Sequence, residues 1–340
     1  MPEVAFAELD FKRRLKVDLF PTIWCPGCGI GTIMIQLAMV LDEMGLDERN
    51  TIIVTGIGCT GRMGSYMQHE SVYTLHGRTL PVAEAIKAVR PEMQVVVVAG
   101  DGDTASIGGN HLIHAIRRDA ALTVLCNNNE IYGLTGGQTG PTTPTGTRTL
   151  SSPAGNPNTP INLQGLVRSS PHALYAKTTV YHQLHMRNAI REAIEHPGFS
   201  FVDITSQCIE NNGRRIGFAS ANDMLTFYRK TYKRAAKGAT ELGQYEIGVL
   251  YPDGHAAGGN GAAAGVAVTP AVATNETVGS ATRAKPAVDD EEKARRRAES
   301  QRKLALMQRL DPEVKLRVAK GELTLADALR EAGIDPDSIS

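Results

Sequence analysis

Two short polar runs, each directly after an apolar run, carry the oxygen atoms that a metal site would need. Gly100-Asp101-Gly102-Asp103 follows the uncharged run at residues 95–98, and Asn127-Asn128-Asn129 follows the apolar run at 122–126. A helical pattern around Leu112 separates the two. This order of strand, turn, helix and strand predicts a βαβ unit, in which the carboxyl ends of both parallel strands share one edge of the sheet.

The residue types in these runs suit Mg2+. Asp101 offers an anionic oxygen and Asn129 a neutral one, and Mg2+ is usually held by few protein oxygens together with phosphate oxygens. Gly100 and Gly102 permit a sharp turn and a close approach of a ligand to the backbone. The alternative is that the first run is only a turn and that the asparagines only end a strand.

Composition limits the class of protein. The 340 residues carry 36 basic and 36 acidic side chains, so the formal net charge is zero, which argues against a nucleic-acid-binding protein. The acidic N-terminal stretch lacks the apolar segment of a signal peptide. Because no apolar run reaches the ~18 residues that cross a bilayer, we expect a cytoplasmic protein.

Four of the five cysteines lie where strands or tight loops end, namely Cys25, Cys28, Cys59 and Cys208. The fifth, Cys126, lies inside an apolar strand and is typical of a small core residue. Four thiolates can hold a [4Fe-4S] cluster or zinc, and a Cys-x-x-Cys pair also serves as a redox dithiol. The cysteines by themselves leave these three uses open.

Apolar periodicity predicts the remaining elements. Helices are expected at residues 32–41, 80–89, 181–196 and 224–236, and strands at 51–55, 173–178 and 201–205. We expect residues 61–77 to be irregular and 140–160 to form a long loop, which in a compact domain is usually functional or mobile. We predict a core of residues 1–240, a flexible Ala/Gly-rich linker at 241–288 and a helical appendage at 289–340.

The wider pattern GDGD, IGGNH, RR, NN and YGLTGGQ resembles one branch of the thiamine-diphosphate enzymes, the β subunits of 2-oxoacid:ferredoxin oxidoreductases, and most of all their 2-oxoglutarate members. The resemblance covers about residues 15–230. It implies an α/β thiamine-diphosphate-binding fold, with a mostly parallel sheet and helices on both faces. One departure is Ile30, which stands where these subunits often have His.

The resemblance also implies the cofactor contacts. Asp101, Asn129 and the backbone carbonyl of Ile131 would hold Mg2+, which would hold the diphosphate of thiamine diphosphate. Cys25, Cys28, Cys59 and Cys208 would ligate one [4Fe-4S] cluster. The other positions implied to lie at the cofactor are Gly58, Cys59, His76, Gly100, Gly102, Asp103, Gly133, Leu134 and Thr135.

Three residues are implied in catalysis or substrate recognition. Arg62, three residues after Cys59, would meet the substrate carboxylate, although it could also be a surface arginine. Leu134 would line the reaction cavity. His76 would touch the cofactor or substrate, but a lone histidine is as often a structural group.

The implied reaction joins a 2-oxo acid, coenzyme A (CoA) and oxidised ferredoxin to give acyl-CoA, CO2 and reduced ferredoxin, or the reverse carboxylation. The implied partners are an α subunit, which would help activate the cofactor, and ferredoxin. The favoured substrate is 2-oxoglutarate, with pyruvate and branched-chain or aromatic oxo acids as alternatives. Two rival interpretations are a self-contained thiamine decarboxylase and a zinc-containing binding module without redox activity.

Overall fold

The structure, a computed structural model, describes residues 11–252, 314 and 325–332. The chain divides into one unit of residues 1–265 and a second of 266–340. Most of the predicted linker and of the predicted appendage therefore lies outside the described residues, and the second unit is represented mainly by one short helix.

The helices of the described residues are α1 (Ile30–Glu43), α2 (Met63–Tyr66), α3 (Thr79–Val89), α4 (Gly109–Arg117), α5 (Leu163–Val167), α6 (Gln183–Glu195), α7 (Ala221–Thr231) and α8 (Leu325–Glu331). The strands are β1 (Thr51–Thr55), β2 (Glu70–Tyr73), β3 (Gln94–Gly100), β4 (Thr123–Asn128), β5 (Ile131–Tyr132), β6 (Gln138–Thr139), β7 (Leu174–Thr179), β8 (Ser200–Thr205), β9 (Lys233–Arg234) and β10 (Glu246–Leu250).

Eight strands form one sheet in the order β2-β1-β3-β4-β8-β7-β10-β9. All pairings from β2 to β7 are parallel, and only β10 runs antiparallel to its neighbour β7. The short strands β5 and β6 form a separate antiparallel pair. This mostly parallel sheet, with helices on both faces, confirms the predicted α/β class.

Alternate residues of β3 face opposite layers of the core. Val96 and Val98 belong to the cluster that contains α1 and α6, whereas Val95 and Val97 belong to the cluster that contains α3 and α4. All four valines are fully buried. A strand that is covered on both faces needs apolar residues at every position, which explains why this run lacks the polar alternation of a surface strand.

Residues 61–77, expected to be irregular, contain α2 and the strand β2, and this prediction was wrong. The strand pairs with β1 at the edge of the sheet, and all four of its residues are exposed. Because an edge strand is held on one side only and buries little, its sequence Glu-Ser-Val-Tyr carries no apolar pattern.

The C-terminal part of the core also differs from the sequence prediction. Helix α7 ends at Thr231, and Lys233–Arg234 continues as strand β9 rather than as helix. Strand β10 pairs with β7 inside the segment assigned to the linker, so the core extends past residue 240 to at least Leu250. The alternation in β10 is weak, which hid this strand within the polar residues around it.

Within the described part of the chain, no helix combines the length and the apolar character that a membrane span requires. The cytoplasmic location stays a prediction.

Candidate functional site

Loops from four neighbouring strands meet at the carboxyl edge of the parallel sheet. Strands β1, β3, β4 and β8 are adjacent, and the register places Gly100 beside Asn127 and Asn128 beside Thr205. Asp101 follows β3, Asn129 follows β4, and Cys59 and Cys208 lie in the loops after β1 and β8. The sheet therefore gathers residues that are far apart in the sequence, at the edge where open α/β sheets bind ligands.

Asp101 is a buried carboxylate, with 2% of its surface exposed. Its Oδ2 accepts a hydrogen bond of 2.6 Å from the hydroxyl of Thr142, and among the described residues no basic side chain pairs with it. Burial raises the pKa of Asp101 to about 6. Because an unpaired carboxylate is costly inside a protein, a cation bound here would offset an existing penalty, so the residue fits Mg2+.

The backbone turn at Asn129–Ile131 lies close to Asp101. Asn129 Oδ1 accepts a hydrogen bond of 3.2 Å from the Ile131 nitrogen, and Glu130 between them has a left-handed φ of 60°. A Cβ placed on Gly140 would lie 3.2 Å from Asp101 Oδ2 and 3.5 Å from the Ile131 nitrogen. The glycine thus lets the carboxylate and this turn approach each other.

The other two asparagines brace these loops. Asn127 Nδ2 donates to the hydroxyl of Thr60 at 2.8 Å, and Ser206 donates to Asn127 Oδ1. Asn128 Nδ2 donates to Asp203 Oδ1 at 3.0 Å. Sequence reasoning missed these partners, since they come from separate loops and strands.

Asp103 holds the loop that carries His76. Its Oδ1 accepts hydrogen bonds from His76 Nδ1 at 2.7 Å and from the Gly77 nitrogen at 2.5 Å. Burial raises the pKa of Asp103, although both bonds act in the opposite direction. The Asp103 carboxylate is thus used within the protein, and it fixes the orientation of the His76 ring, which packs edge-on against Tyr132.

Two glycines at this edge stand where a side chain would be unfavourable. A Cβ on Gly102 would overlap the ring of Tyr132. Gly58 has a φ of +117°, which side chains rarely adopt, and nothing lies within 4 Å of its would-be Cβ. This free space beside Cys59, together with the buried Asp101, fits the approach of a phosphorylated cofactor to the backbone.

The four predicted cluster ligands lie close enough to influence each other. Burial raises the pKa of Cys28 to about 12, and the charges of Cys208, Cys59 and Cys25 raise it further. Cys59 and Cys208 also have raised pKa values, first through burial and then through neighbouring thiols that include Cys25. Mutual repulsion of this kind is what a bound cationic cluster would relieve.

The loop Cys25–Cys28 packs onto the segment before Cys208. The Gln207 amide donates to the Gly27 carbonyl at 3.0 Å, and the Gly29 nitrogen donates to the Gln207 carbonyl at 3.3 Å. Among the described residues, no group of three or more His, Cys, Asp or Glu side chains is arranged to hold a metal ion as it stands. The thiols are therefore neighbours without forming a finished ligand set, and Cys126 is buried inside β4.

Arg62 lies on a short helical turn directly after Cys59. It is exposed, and its guanidinium stands 6.0 Å from the ring centre of Tyr73. Its positive charge lowers the pKa of Cys59, against the larger effect of burial. The residue is thus a solvent-accessible cation next to a predicted cluster ligand.

The loop that carries Leu134 lies beside Cys208. A Cβ on Gly133 would be 3.1 Å from Cys208 Sγ, and Asn211 Nδ2 donates to the Gly133 carbonyl at 2.8 Å. Leu134 is 54% exposed, and the Thr135 hydroxyl bonds to Gln138 at 2.5 Å. Leu134 is thus an exposed apolar side chain on a braced loop that lies next to Cys208.

A family profile described as the C-terminal thiamine-pyrophosphate-binding domain of thiamine pyrophosphate enzymes matches residues 56–204. The chain is also 39% identical to the 2-oxoglutarate synthase subunit KorB of Archaeoglobus fulgidus over 242 residues, which are 71% of this chain and 88% of that subunit. The chain belongs to the family of 2-oxoacid:ferredoxin oxidoreductase β subunits. It is therefore part of an oxidoreductase.

Two further relatives agree. The chain is 40% identical to a 2-oxoacid:ferredoxin oxidoreductase subunit beta of Saccharolobus solfataricus, over 54% of this chain and 61% of that one. A solved structure of 2-oxoglutarate:ferredoxin oxidoreductase from Magnetococcus marinus, with 2-oxoglutarate, coenzyme A and succinyl-CoA bound, superposes with a TM-score of 0.66 at 30% identity, covering 74% of this chain and 88% of that chain. The fold is thus that of the thiamine-diphosphate enzymes.

The profile match includes some predicted site residues and omits others. Asp101, Asn129 and Cys59 lie within residues 56–204, whereas Cys25, Cys28 and Cys208 lie outside them. The profile thus covers the predicted cofactor-binding loops, and three of the four predicted cluster ligands lie outside it.

Proposed function

We propose that this chain is the cofactor-binding subunit of an enzyme that interconverts 2-oxoglutarate, CoA and oxidised ferredoxin with succinyl-CoA, CO2 and reduced ferredoxin. The observation that carries the proposal is the meeting of the Asp101 and Asn129 loops with four cysteines at one edge of the sheet. The choice of 2-oxoglutarate is supported by the relatives named for that acid and by the structural neighbour that binds it.

Asp101, Asn129 and the Ile131 carbonyl would hold Mg2+, and Mg2+ would bind the diphosphate. Bound thiamine diphosphate would supply the carbanion that attacks the oxo acid. The chain itself would bury the metal-binding carboxylate and fix the ring of His76 through Asp103. The lack of a side chain at Gly102 leaves room for the ring of Tyr132. His76 would face the cofactor or substrate from this loop.

Cys25, Cys28, Cys59 and Cys208 would ligate one [4Fe-4S] cluster, whose ferric and ferrous ions would offset the repulsion among the thiolates. The contact of Gly133 with Cys208 supports a position for the cluster beside the cofactor loop. Held by these four cysteines, a cluster would supply one-electron transfer between the substrate, which loses two electrons on oxidation, and ferredoxin.

Substrate recognition falls to Arg62 and Leu134. The exposed Arg62 carries a positive charge next to Cys59, which suits the carboxylate of a dicarboxylic acid. Leu134 would provide the apolar wall of the reaction cavity. Thiamine enzymes of this kind activate the cofactor with a Glu from a partner domain, so an α subunit would complete the site.

The direct test is to express the chain with and without its α subunit and to follow CoA-dependent dye reduction under anaerobic conditions. We expect the chain alone to be inactive and the complex to use 2-oxoglutarate better than pyruvate. Turnover by the isolated chain would contradict the subunit role, and equal or better use of pyruvate would overturn the choice of substrate.

A further inference from the structure

A line of hydrogen bonds connects the interior of the sheet to Asp101. Asp203 of β8 accepts a bond of 3.0 Å from Asn128 Nδ2. The Thr142 hydroxyl lies 2.9 Å from Asn128 Oδ1 and 2.6 Å from Asp101 Oδ2. Asp203, Thr142 and Asp101 are all buried.

Each oxygen of the Asp203 carboxyl group has a hydrogen-bond partner. Asn128 donates to its Oδ1, and the Tyr175 hydroxyl donates to its Oδ2 at 2.9 Å. Burial raises the pKa of Asp203, whereas the charge of Lys177 and the hydrogen bonds from Asn128 and Tyr175 act in the opposite direction. Lys177 stands opposite Asp203 in the strand register, but its ammonium donates to the Gln244 carbonyl at 2.7 Å.

Asp203 Oδ1 decides which way the amide of Asn128 points. The amide nitrogen must face the carboxylate, so Oδ1 must face Thr142. The Thr142 hydroxyl has one hydrogen and two acceptors within reach, Asn128 Oδ1 and Asp101 Oδ2. With Asn128 held in this orientation, its Oδ1 competes with Asp101 Oδ2 for that hydrogen, whereas a flipped amide would donate to the Thr142 oxygen and commit the hydrogen to Asp101.

We propose that Asp203 is a positioning residue for the metal site: through Asn128 and Thr142 it keeps Asp101 available to Mg2+, and it adds a second negative charge nearby. The inference rests on the proposed function, because it takes Asp101 as a ligand of Mg2+. A cavity of about 610 Å³, lined by Asn128, Thr142 and Asp203, lies against this line of bonds. The cavity leaves room for these side chains to rearrange when the charge is removed.

The first test is Asp203→Asn in the co-purified complex with the α subunit, stripped of metal and cofactor. Binding of Mn2+ in the presence of thiamine diphosphate is followed by the electron paramagnetic resonance signal of the free ion. We expect the dissociation constant for the metal to rise about 10- to 100-fold, since the charge is lost and Asn128 can turn over. Tyr175→Phe keeps the charge and the Asn128 bond, and should bind Mn2+ as the wild type does.

A second variant keeps the test decisive if Asp203→Asn alone does not fold. Asn128→Asp combined with Asp203→Asn reverses the pair, so that residue 203 donates, residue 128 accepts, and the negative charge is kept. We expect the affinity of this double variant for Mn2+ to lie near the wild-type value. The proposal would be overturned if folded Asp203→Asn bound Mn2+ with wild-type affinity. It would also be overturned if the affinity of the double variant for Mn2+ fell about 10- to 100-fold, as is expected of the single variant.

These outcomes separate the two proposals. A wild-type complex that shows no metal-dependent binding of thiamine diphosphate would contradict the proposed function itself. If the wild-type complex binds both the metal and thiamine diphosphate, and Asp203→Asn has the same affinity for Mn2+, only the role of Asp203 is contradicted.

Discussion

Asp101 is placed where a carboxylate without a metal is unfavourable. Its pKa in the folded protein is raised to about 6 by burial, whereas an aspartate in an unfolded chain titrates near 3.9. The metal-free protein therefore binds this proton more tightly when folded. The contribution of Asp101 to the free energy of unfolding should therefore be least favourable above pH 6. The stability of the metal-free protein should rise as the pH falls through 6.

Asp101→Asn should consequently stabilise the metal-free protein at pH 7.5, by on the order of 2 kcal/mol, because it removes a buried charge. The advantage should shrink as the pH is lowered below 6. Urea unfolding at both pH values measures it, and Mg2+ with thiamine diphosphate should stabilise the wild type but not the variant. A variant that is less stable at pH 7.5 and still responds to Mg2+ would contradict the assignment.

A second prediction about a single residue concerns Arg62. The side chain is exposed, and its guanidinium stands 6.0 Å from the ring centre of Tyr73, so Arg62→Ala should leave the melting temperature nearly unchanged. The KM of the complex for 2-oxoglutarate should rise about tenfold or more, because a charge-assisted contact to the substrate is lost. Arg62→Lys, which keeps the charge without the planar fork, should lie between. An unchanged KM in Arg62→Ala would show that Arg62 is a surface arginine without a part in substrate recognition.

The sequence indicated candidate site residues only where they follow a recognisable strand. Asp101 and Asn129 come directly after uncharged apolar runs, which fixes them at a sheet edge. Thr142 and Asp203 have no such marker. One is among several threonines in a long loop, the other lies inside a strand, and only the packed structure brings them to opposite ends of the Asn128 amide.

At the scale of elements, the turn from β3 into α4 depends on a missing side chain. A Cβ on Gly102 would overlap the Tyr132 ring, whereas nothing lies within 4 Å of a Cβ on Gly109, at the start of α4. Gly102→Ala should therefore lower the free energy of unfolding by about 1–3 kcal/mol through overpacking. Gly109→Ala is the matched control.

Thermal and urea unfolding of the two variants test this difference. Gly109→Ala should be neutral or slightly stabilising, since alanine favours the helix over glycine. Equal destabilisation by both substitutions would mean that general helix effects, rather than the contact with Tyr132, explain the glycine in the turn.

Elements that are buried on both faces were predicted well, and elements at the margins were not. The β3 valines are fully buried, so their type alone indicates a strand. Strand β2 is fully exposed, and β9 and β10 are short strands at the opposite side of the sheet. Such strands are held by backbone pairing with a neighbour that is distant in the sequence, and local composition carries little trace of it.

For the molecule as a whole, strand β10 gives the minimal boundary of the catalytic core. Because β10 pairs with β7 and ends at Leu250, removing residues 254–340 should preserve the fold and most of the activity of the complex. Circular dichroism and dye reduction measure both, and a further truncation before residue 246, which removes β10, serves as the contrast. Loss of activity in the first truncation would assign the tail a part in the reaction or in assembly.

The central claim is that four cysteines of this chain hold one electron-accepting cluster beside a cofactor site. Iron, sulfide and zinc analysis of the anaerobically purified complex tests it most directly, together with absorption at about 400 nm. We predict about four irons and four sulfides per β chain, lost on substitution by Ser of Cys25, Cys28, Cys59 or Cys208 and kept in Cys126→Ser. A colourless complex with stoichiometric zinc, or a cluster that survives the loss of Cys208, would contradict the account.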